Sequence, residues 1–266
     1  MISYPNIDPI LLSIGPIHIR WYGLAYIVGV LTAMRYLRAT LTHQLLLSKD
    51  EQSTLMIYVL IGIILGGRFG YVIFYDLQYY LSNPLQWLAV WNGGMSYHGG
   101  GIGAVIAIGY FARNYQKSFL LLLDVLGIGT TFGLFLGRIA NFINAELYGR
   151  VTDVPWGMVF PNAGPLPRHP SQLYEAFFEG VVLFIILHFL SQKKWLKPGQ
   201  LFGVYWVFYG LFRFIIEFFR EPDAHLGTVL GPLSMGQVLC IIMIIGGAFF
   251  IRYCQKHTSK TSKKVN

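Results

Sequence analysis

One histidine of this chain lies in an unusually flexible backbone. Five glycines surround His98 in the stretch GGMSYHGGG, residues 93–101, so the chain can bend there and a substrate can come close. Imidazole exchanges protons near neutral pH, which makes His98 a candidate general base. A hydrogen-bonded packing group is the alternative for a lone histidine. No His, Cys or acid cluster nearby has metal-ligand spacing, so no metal site is expected.

Three arginines, Arg68, Arg138 and Arg213, lie inside long apolar runs. An ionisable side chain in hydrocarbon is costly unless it is paired or solvated, so each is a candidate functional residue. Each also needs an anionic partner, because arginine keeps its charge. We identify two acids near them: Glu146, just beyond Arg138, and Glu217, one helical turn after Arg213. Three arginines with two acids predict spare positive charge for a phosphate; a closed ion-pair network is the alternative.

A third polar group follows Arg138. On a helix, Arg138, Asn141 and Ala145 share one face, and Glu146 lies close to it. Amide and carboxylate side chains are costly in lipid and readily accommodated in a wet pocket. This group could therefore hold a glycerol or a phosphate by hydrogen bonds.

The composition shows what must position these residues. The chain has 266 residues, of which 55% are hydrophobic and 12% charged, with a mean hydropathy of +0.53. A soluble domain carries about twice that charged fraction. The chain is therefore predicted to be an all-α integral membrane protein, which excludes a soluble enzyme or a nucleic-acid-binding domain. Cys240 and Cys254 would lie about 21 Å apart on one helix, too far for a disulfide.

Seven apolar runs predict seven transmembrane helices in one polytopic membrane domain over residues 1–266, with no repeat or second soluble domain. The N-terminus lacks the features of a cleaved signal peptide. The predicted spans cover residues 18–38, 54–75, 95–112, 119–141, 171–190, 200–219 and 235–253.

The basic residues predict the orientation. Thirteen of the 20 Lys and Arg residues fall on one set of loops and ends, four on the other and three inside spans. The positive-inside rule then places the N-terminus outside and the C-terminus in the cytoplasm. With that orientation, Arg68, Arg138 and Arg213 all lie toward the external side.

Two outer segments are not simple loops. Residues 76–94 are rich in Trp and Tyr and are predicted to lie along the membrane interface as an arm. Residues 142–170 form a long polar, proline-containing stretch that predicts a small external head. Residues 254–266 form a basic cytoplasmic tail.

At these residues the sequence closely resembles the bacterial prolipoprotein diacylglyceryl transferases. The segment GRIANFINAELYG, residues 137–149, is similar to the family's signature, although Ala140 and Ala145 stand where many members have glycine. The head is also short compared with that of some members. Further motifs follow the family's order: WYGLAY, GGRFGYVIFY, WNGGMSYHGG, LPRHPSQLYEA, YGLFRFIIEFFREPD and SMGQ.

The resemblance implies an activity. Family members transfer the diacylglyceryl group of phosphatidylglycerol to a cysteine thiol in the lipobox of a prolipoprotein signal peptide. The products are a thioether and glycerol phosphate, and this is the first step of bacterial lipoprotein maturation. It also implies a seven-helix protein of the bacterial cytoplasmic (inner) membrane, with its active site toward the external leaflet. The expected partners are phosphatidylglycerol, the lipobox and the bilayer, without a cofactor.

Residue roles consistent with this chemistry can be assigned. His98 is the candidate base for the thiol, although an arginine field alone is an alternative. Arg138 and Arg213 are expected to stabilise charge on the departing phosphate. Glu217 would orient Arg213. Arg68 is either a third phosphate contact or a structural residue.

The remaining expected contacts with phosphatidylglycerol involve the headgroup. Asn141, Glu146 and Gly149 would shape its pocket, and Tyr22 and Tyr209 would hydrogen-bond the phosphate. Interfacial anchoring is the alternative for both tyrosines.

Two other protein classes compete with the enzyme. A transporter or channel would need a polar path to the cytoplasmic side, where the spans offer little beyond Asp124 and His188. A non-catalytic lipid-binding scaffold would leave His98 and its glycines unexplained.

Overall fold

The computed structural model describes residues 2–262 except 6, 16, 41–46, 76, 91–92, 222–227 and 231–232. Residues 76, 91 and 92 of the predicted arm, residues 222 and 223 of the motif YGLFRFIIEFFREPD, and residues 263–266 of the predicted tail lie outside the described residues. The elements in chain order are β1 (Ile2–Ser3), β2 (Ile10–Ile14), β3 (Ile17–Arg20), α1 (Trp21–Thr40), α2 (Lys49–Tyr75), α3 (Leu77–Ser82), α4 (Tyr97–Asn114), α5 (Phe119–Ile143), β4 (Met158–Val159), α6 (Ser171–Glu175), α7 (Leu183–Ser191), α8 (Gln200–Ile216), β5 (Thr228–Leu230), β6 (Leu233–Ser234) and α9 (Met235–Ser262).

The protein is mostly helical and suited to a membrane. Among the described residues, four helices are long and apolar enough to cross a bilayer: Lys49–Phe74, Phe119–Ile143, Ser171–Ser191 and Met235–Lys256. The helix Gln200–Ile216 is apolar but shorter.

Each of the seven predicted ranges contains a helix, and the differences lie at the ends. The first predicted span began at 18, but Ile17–Arg20 pairs with β2 in an antiparallel hairpin, so α1 begins at Trp21. The last helix runs through Ser262, past the predicted end at 253. Helical hydrogen bonding continues readily through Lys and Gln, so a helix can outlast its apolar stretch.

The chain forms two compact units, residues 37–123 and residues 1–36 with 124–266. In the first, α2 and α4 meet along glycines. A Cβ atom on Gly103 would collide with the carbonyl of Gly62 and lie 2.9 Å from the Cα of Gly66. The glycines of α2 and α4 therefore let two helix backbones approach closely.

The predicted arm belongs to this unit as well. It contains α3 and a 3₁₀ turn, Pro84–Leu88, and exposes apolar side chains that include Leu81 and Leu85. An exposed apolar segment of this kind suits the membrane interface.

In the second unit, α5 and α8 are joined at one end by a half-buried carboxylate. Asp124 of α5 accepts hydrogen bonds from the backbone N–H groups of Gly199 (2.7 Å) and Phe202 (2.8 Å) at the start of α8. These N–H groups have no partner inside the helix, so a side chain from another helix caps them. The cap fixes where α8 begins relative to α5.

The segment predicted as a head has its own core. Phe142, Ala145, Met158 and Phe160 are buried together. The N-terminus joins them, because β1 pairs with β4 and the Tyr4 hydroxyl donates to the carbonyl of Phe142 at 2.6 Å. This core closes over the end of α5, where the polar residues of the signature lie.

Candidate active site

A buried ion cluster in the second unit centres on Glu175. Its side chain is fully buried and contacts three guanidinium groups. Arg138 Nε lies 2.8 Å from Glu175 Oε2, while Arg213 Nη1 and Arg220 Nη1 both approach Oε1, the latter at 3.5 Å. One carboxylate thus holds arginines from α5, α8 and the segment after α8.

The helix that carries Glu175 changes its geometry at this residue. Between α6 and α7 lies a π-helical segment, Ala176–Val182. Such wide turns are rare and are frequently found at functional sites. A second fully buried acid, Glu179, lies within the segment. Its carboxylate faces Arg138 Nη2 at 3.7 Å and Arg213 Nη1 at 3.9 Å.

Close packing holds this segment against α5. A Cβ atom on Gly180 would lie 2.6 Å from Phe135 Cβ and 2.9 Å from its Cα. Only glycine allows this approach. Because Phe135 is one turn before Arg138, the contact sets the position of Glu179 relative to Arg138.

The Arg213–Glu217 pair predicted from its i, i+4 spacing is present. Arg213 Nη2 lies 3.0 Å from Glu217 Oε2. The Ser234 hydroxyl donates to Glu217 Oε1 at 3.0 Å, and a Cβ atom on Gly236 would lie 2.7 Å from the same oxygen. Glu217 is therefore held between α8 and the start of α9, and it in turn holds Arg213.

Arg220 reaches the ion cluster from a backbone segment that Arg150 holds by hydrogen bonds. Arg150 donates from its N–H to the Phe219 carbonyl (2.9 Å) and from Nε to the Arg220 carbonyl (2.9 Å). Burial, and after it the neighbouring Arg213, lowers the pKa of Arg220. A guanidinium still keeps its charge at physiological pH.

These contacts correct the sequence-based charge count. Glu175 and Glu179 lie inside the predicted fifth span, whereas the sequence-based expectation paired the arginines with Glu146 and Glu217. The cluster therefore contains three carboxyl groups for Arg138, Arg213 and Arg220, where spare arginine charge was expected. Their signal in the sequence was two acids four residues apart in an apolar run, which is as costly in lipid as an arginine.

Glu146 has partners other than Arg138. Its Oε1 accepts hydrogen bonds from Asn141 Nδ2 (2.8 Å) and Asn144 Nδ2 (3.3 Å), and its backbone carbonyl accepts one from Gln172 Nε2 (2.6 Å). Asn141 is buried. The polar residues of the signature thus form a hydrogen-bonded turn at the end of α5.

Gly149 lies where three segments meet. Its N–H donates to the His169 carbonyl at 2.8 Å, and its carbonyl accepts from Arg168 Nη1 at 3.2 Å. A Cβ atom here would collide with the carbonyl of Phe219. Any side chain at this position would push apart the segments that hold Arg220.

The two tyrosines expected at the headgroup differ in burial. Tyr209, on α8, is buried and lies within electrostatic range of both Arg138 and Arg213. Tyr22, the second residue of α1, is half-buried.

His98 lies in the first unit, as the second residue of α4, and is exposed. Ser96 caps this helix, its hydroxyl accepting from the Gly99 N–H at 3.2 Å. Gly93 and Gly94 precede it with φ of +79° and +74°, a left-handed conformation that favours glycine. The glycines before His98 therefore turn the chain sharply into α4.

Arg68, in the same unit, is 2% exposed. Its guanidinium donates to four backbone carbonyls: Gln86 (2.6 Å), Trp87 (3.0 Å), Gly93 (2.6 Å) and Gly94 (3.2 Å). It also packs over the Tyr80 ring at 5.1 Å. Four of its five N–H donors are used to hold the arm and the turn before α4.

Comparisons with known proteins agree on one family. The profile described as prolipoprotein diacylglyceryl transferase matches residues 9–253. Three relatives carry the name phosphatidylglycerol–prolipoprotein diacylglyceryl transferase. The Geobacter sulfurreducens protein is 50% identical over 92% of this chain and 94% of its own length. The Oleidesulfovibrio alaskensis protein is 48% identical over 100% of both, and the Pseudomonas aeruginosa protein 49% identical over 93% of both.

Proposed function

Since this chain belongs to the prolipoprotein diacylglyceryl transferase family, we propose that its phospholipid substrate reacts at the Arg138–Glu175–Arg213 cluster. The protein is a transferase that moves the diacylglyceryl group of phosphatidylglycerol to prolipoproteins, the first step of lipoprotein maturation. The observation that carries the site is that Arg138 and Arg213 share one buried carboxylate.

The reaction requires a thiolate and a stabilised leaving group. The lipobox cysteine loses its proton, its sulfur attacks the glycerol carbon that bears the phosphate, and the C–O bond breaks. A thioether forms and glycerol phosphate leaves with the bonding electrons. A free thiol ionises weakly at neutral pH, and negative charge grows on the phosphate oxygens in the transition state, so both events need help from the protein.

Arg138 and Arg213 supply the stabilisation of the phosphate. Each guanidinium uses part of its donor set on Glu175, which fixes its plane, and its side chain keeps 17% or 13% exposure. The N–H groups that do not contact Glu175, Glu179 or Glu217 would donate to two phosphate oxygens at once, as the planar guanidinium allows. Such preorganised donors stabilise charge without reorganisation during the reaction.

His98 is the proposed base for the lipobox thiol. Its imidazole is exposed at the start of α4, where a lipobox peptide would reach it. An arginine field alone would also favour the thiolate, and replacing His98 decides between them. If His98→Asn keeps full activity, His98 is not the base, and the positive field of the arginines alone favours the thiolate.

The headgroup pocket is proposed around the end of α5. Asn141 and Glu146 are joined by a hydrogen bond, and they would hold the free glycerol hydroxyls. Tyr209 would donate its hydroxyl to the phosphate beside Arg138 and Arg213, and Tyr22 would do so from α1. Gly149 contributes by keeping the Phe219–Arg220 segment close.

We propose that residues 1–266 form one domain with seven spans in the bacterial inner membrane. The N-terminus and the residue 142–170 head lie outside, the tail lies in the cytoplasm, and the residue 76–94 arm lies along the outer interface. The distribution of basic residues supports this orientation. The active site then opens toward the external leaflet, where secreted prolipoproteins emerge.

The test uses purified protein, phosphatidylglycerol and a lipobox peptide, with a Cys→Ser peptide as the control. Thioether-linked lipid on the cysteine peptide and release of glycerol phosphate support the function, while background levels of both contradict it. Arg138→Lys and Arg213→Lys keep the positive charge but lose the planar guanidinium, which can donate to two phosphate oxygens at once. Each variant should lower transfer by ~100-fold or more. Arg113→Ala, an exposed residue at the end of α4, should retain wild-type activity.

A further inference from the structure

The charge of the ion cluster raises a question about its ligand. Arg138, Arg213 and Arg220 face the carboxyl groups of Glu175, Glu179 and Glu217. If all six groups were ionised, the cluster would be neutral. A neutral cluster in a site of low dielectric would offer a phosphodiester anion little net attraction, since its arginines would already be matched.

Glu179 differs from the other two acids. It is fully buried, and among the described residues neither of its oxygens has a hydrogen-bond partner. The nearest guanidinium nitrogens, of Arg138 and Arg213, are 3.7 Å and 3.9 Å away, beyond hydrogen-bond distance. Glu175 and Glu217, by contrast, have guanidinium nitrogens at 2.8 Å and 3.0 Å.

The charged groups that face Glu179 have opposite effects on the ionisation of its carboxyl group. Arg138 of α5, Arg213 of α8 and Arg220 favour its ionised form, while Glu175 on its own helix favours the neutral form. Since Glu175 takes the close contacts with all three arginines, Glu179 receives only their longer-range attraction. An ionised carboxylate buried without hydrogen bonds is very costly, and a like charge nearby adds to that cost.

We propose that Glu179 is held as a neutral carboxylic acid, so that the cluster carries one net positive charge and selects a ligand with a single negative charge. This inference rests on the proposed function, and it names the charge class of the ligand as a phosphodiester monoanion, which is the form of phosphatidylglycerol. Glu175 is then the ionised partner that positions the arginines, and Glu179 sets the net charge.

The proposal predicts an asymmetry between two glutamates one turn apart. Glu179→Gln replaces a neutral acid by a neutral amide of the same shape, so it keeps the net charge of the cluster and should lower transfer at least tenfold less than Glu175→Gln does. Glu175→Gln removes the charge that holds three arginines, so transfer should fall ~100-fold or more. Both variants are checked for folding by thermal unfolding in detergent.

A pH series tests the charge itself. Ionisation of Glu179 as the pH is raised would make the cluster neutral, so affinity for short-chain phosphatidylglycerol should fall by about tenfold as Glu179 ionises in the wild type. Glu179→Gln should show no such fall. Short-chain phosphatidylcholine, which is zwitterionic, should bind weakly at every pH to both proteins.

Infrared spectroscopy with ¹³C-labelled glutamate reads the protonation state directly. The wild type at neutral pH should show a protonated glutamate carboxyl band that Glu179→Gln removes; if that variant does not fold, Glu179→Asp should shift the band out of the labelled set. Absence of the band, or a large loss of transfer in folded Glu179→Gln, would overturn the proposal. If the wild type itself performs no transfer, the proposed function fails instead.

Discussion

Glu175 shows how much of this site depends on a single side chain. Three guanidinium groups from three segments converge on its carboxylate. Without it, Arg138 and Arg213 would repel each other in a medium that screens charge poorly. The residue lies in the motif LPRHPSQLYEA, yet the sequence alone did not single it out, because an acid near the start of a predicted span resembles an interfacial residue.

At the residue scale, Arg68 offers a decisive substitution. Arg68→Gln should lower the free energy of unfolding by about 3 kcal/mol, because four backbone carbonyls of the arm and of Gly93–Gly94 lose charged donors. The affinity of the folded protein for phosphatidylglycerol should stay unchanged. Thermal unfolding and lipid binding in detergent measure the two effects.

The opposite pattern would show that Arg68 contacts phosphate. In that case Arg68→Gln would weaken lipid binding while leaving the unfolding temperature near that of the wild type. Arg113→Ala serves again as the surface arginine control.

At the element scale, the contact between α2 and α4 depends on those glycines of α4 that face α2, such as Gly103. Gly103→Ala places a Cβ atom against the carbonyl of Gly62, so we expect a loss of about 1–3 kcal/mol in the free energy of unfolding. Gly101→Ala on the same helix meets no heavy atom within 4 Å. Because alanine favours helix over glycine, this variant should gain up to ~1 kcal/mol.

These two alanine variants differ in position by only two residues, so thermal unfolding of the pair separates packing from helix propensity. Equal effects of the same sign would contradict the close approach of α2 and α4.

The same scale explains how the arginine cluster is assembled. The helices that carry Arg138 and Arg213 are joined at their far ends by Asp124, and the π-helical segment beside them carries Glu179 and packs through Gly180. In the sequence, Asp124 stands out only as a polar residue in the cytoplasmic half of a predicted span. Its role as the cap of α8 follows from the tertiary contact.

At the scale of the whole molecule, the proposed orientation can be tested by labelling single cysteines. In a background lacking Cys240 and Cys254, Asn162→Cys in the head should react with a membrane-impermeant maleimide in intact spheroplasts. Lys194→Cys, in the loop before α8, should react only after the membrane is permeabilised, because its basic loop is predicted to stay in the cytoplasm. Both residues are exposed.

If Lys194→Cys is labelled in intact spheroplasts and Asn162→Cys is protected, the protein has the opposite orientation in the membrane. It would also place the arginine cluster on the cytoplasmic side, away from the emerging prolipoprotein.

The sequence by itself determined the class of protein, the helical segments and the family. Hydropathy placed a helix in each of the seven predicted ranges, because a long apolar run can satisfy its backbone in lipid only as a helix. Motifs such as GRIANFINAELYG and WNGGMSYHGG resemble those of the family and follow its order, and this resemblance implied the activity.

Only the tertiary structure decided which charges meet. Arg138 pairs with Glu175, 37 residues later in the chain, and Arg68 is surrounded by backbone carbonyls. Hydropathy and charge counts indicate that an ionisable group is buried, because the group lies in a long apolar stretch of sequence. They do not register its partner, because a partner is set by helix packing, through contacts such as Gly180 with Phe135 and Asp124 with α8.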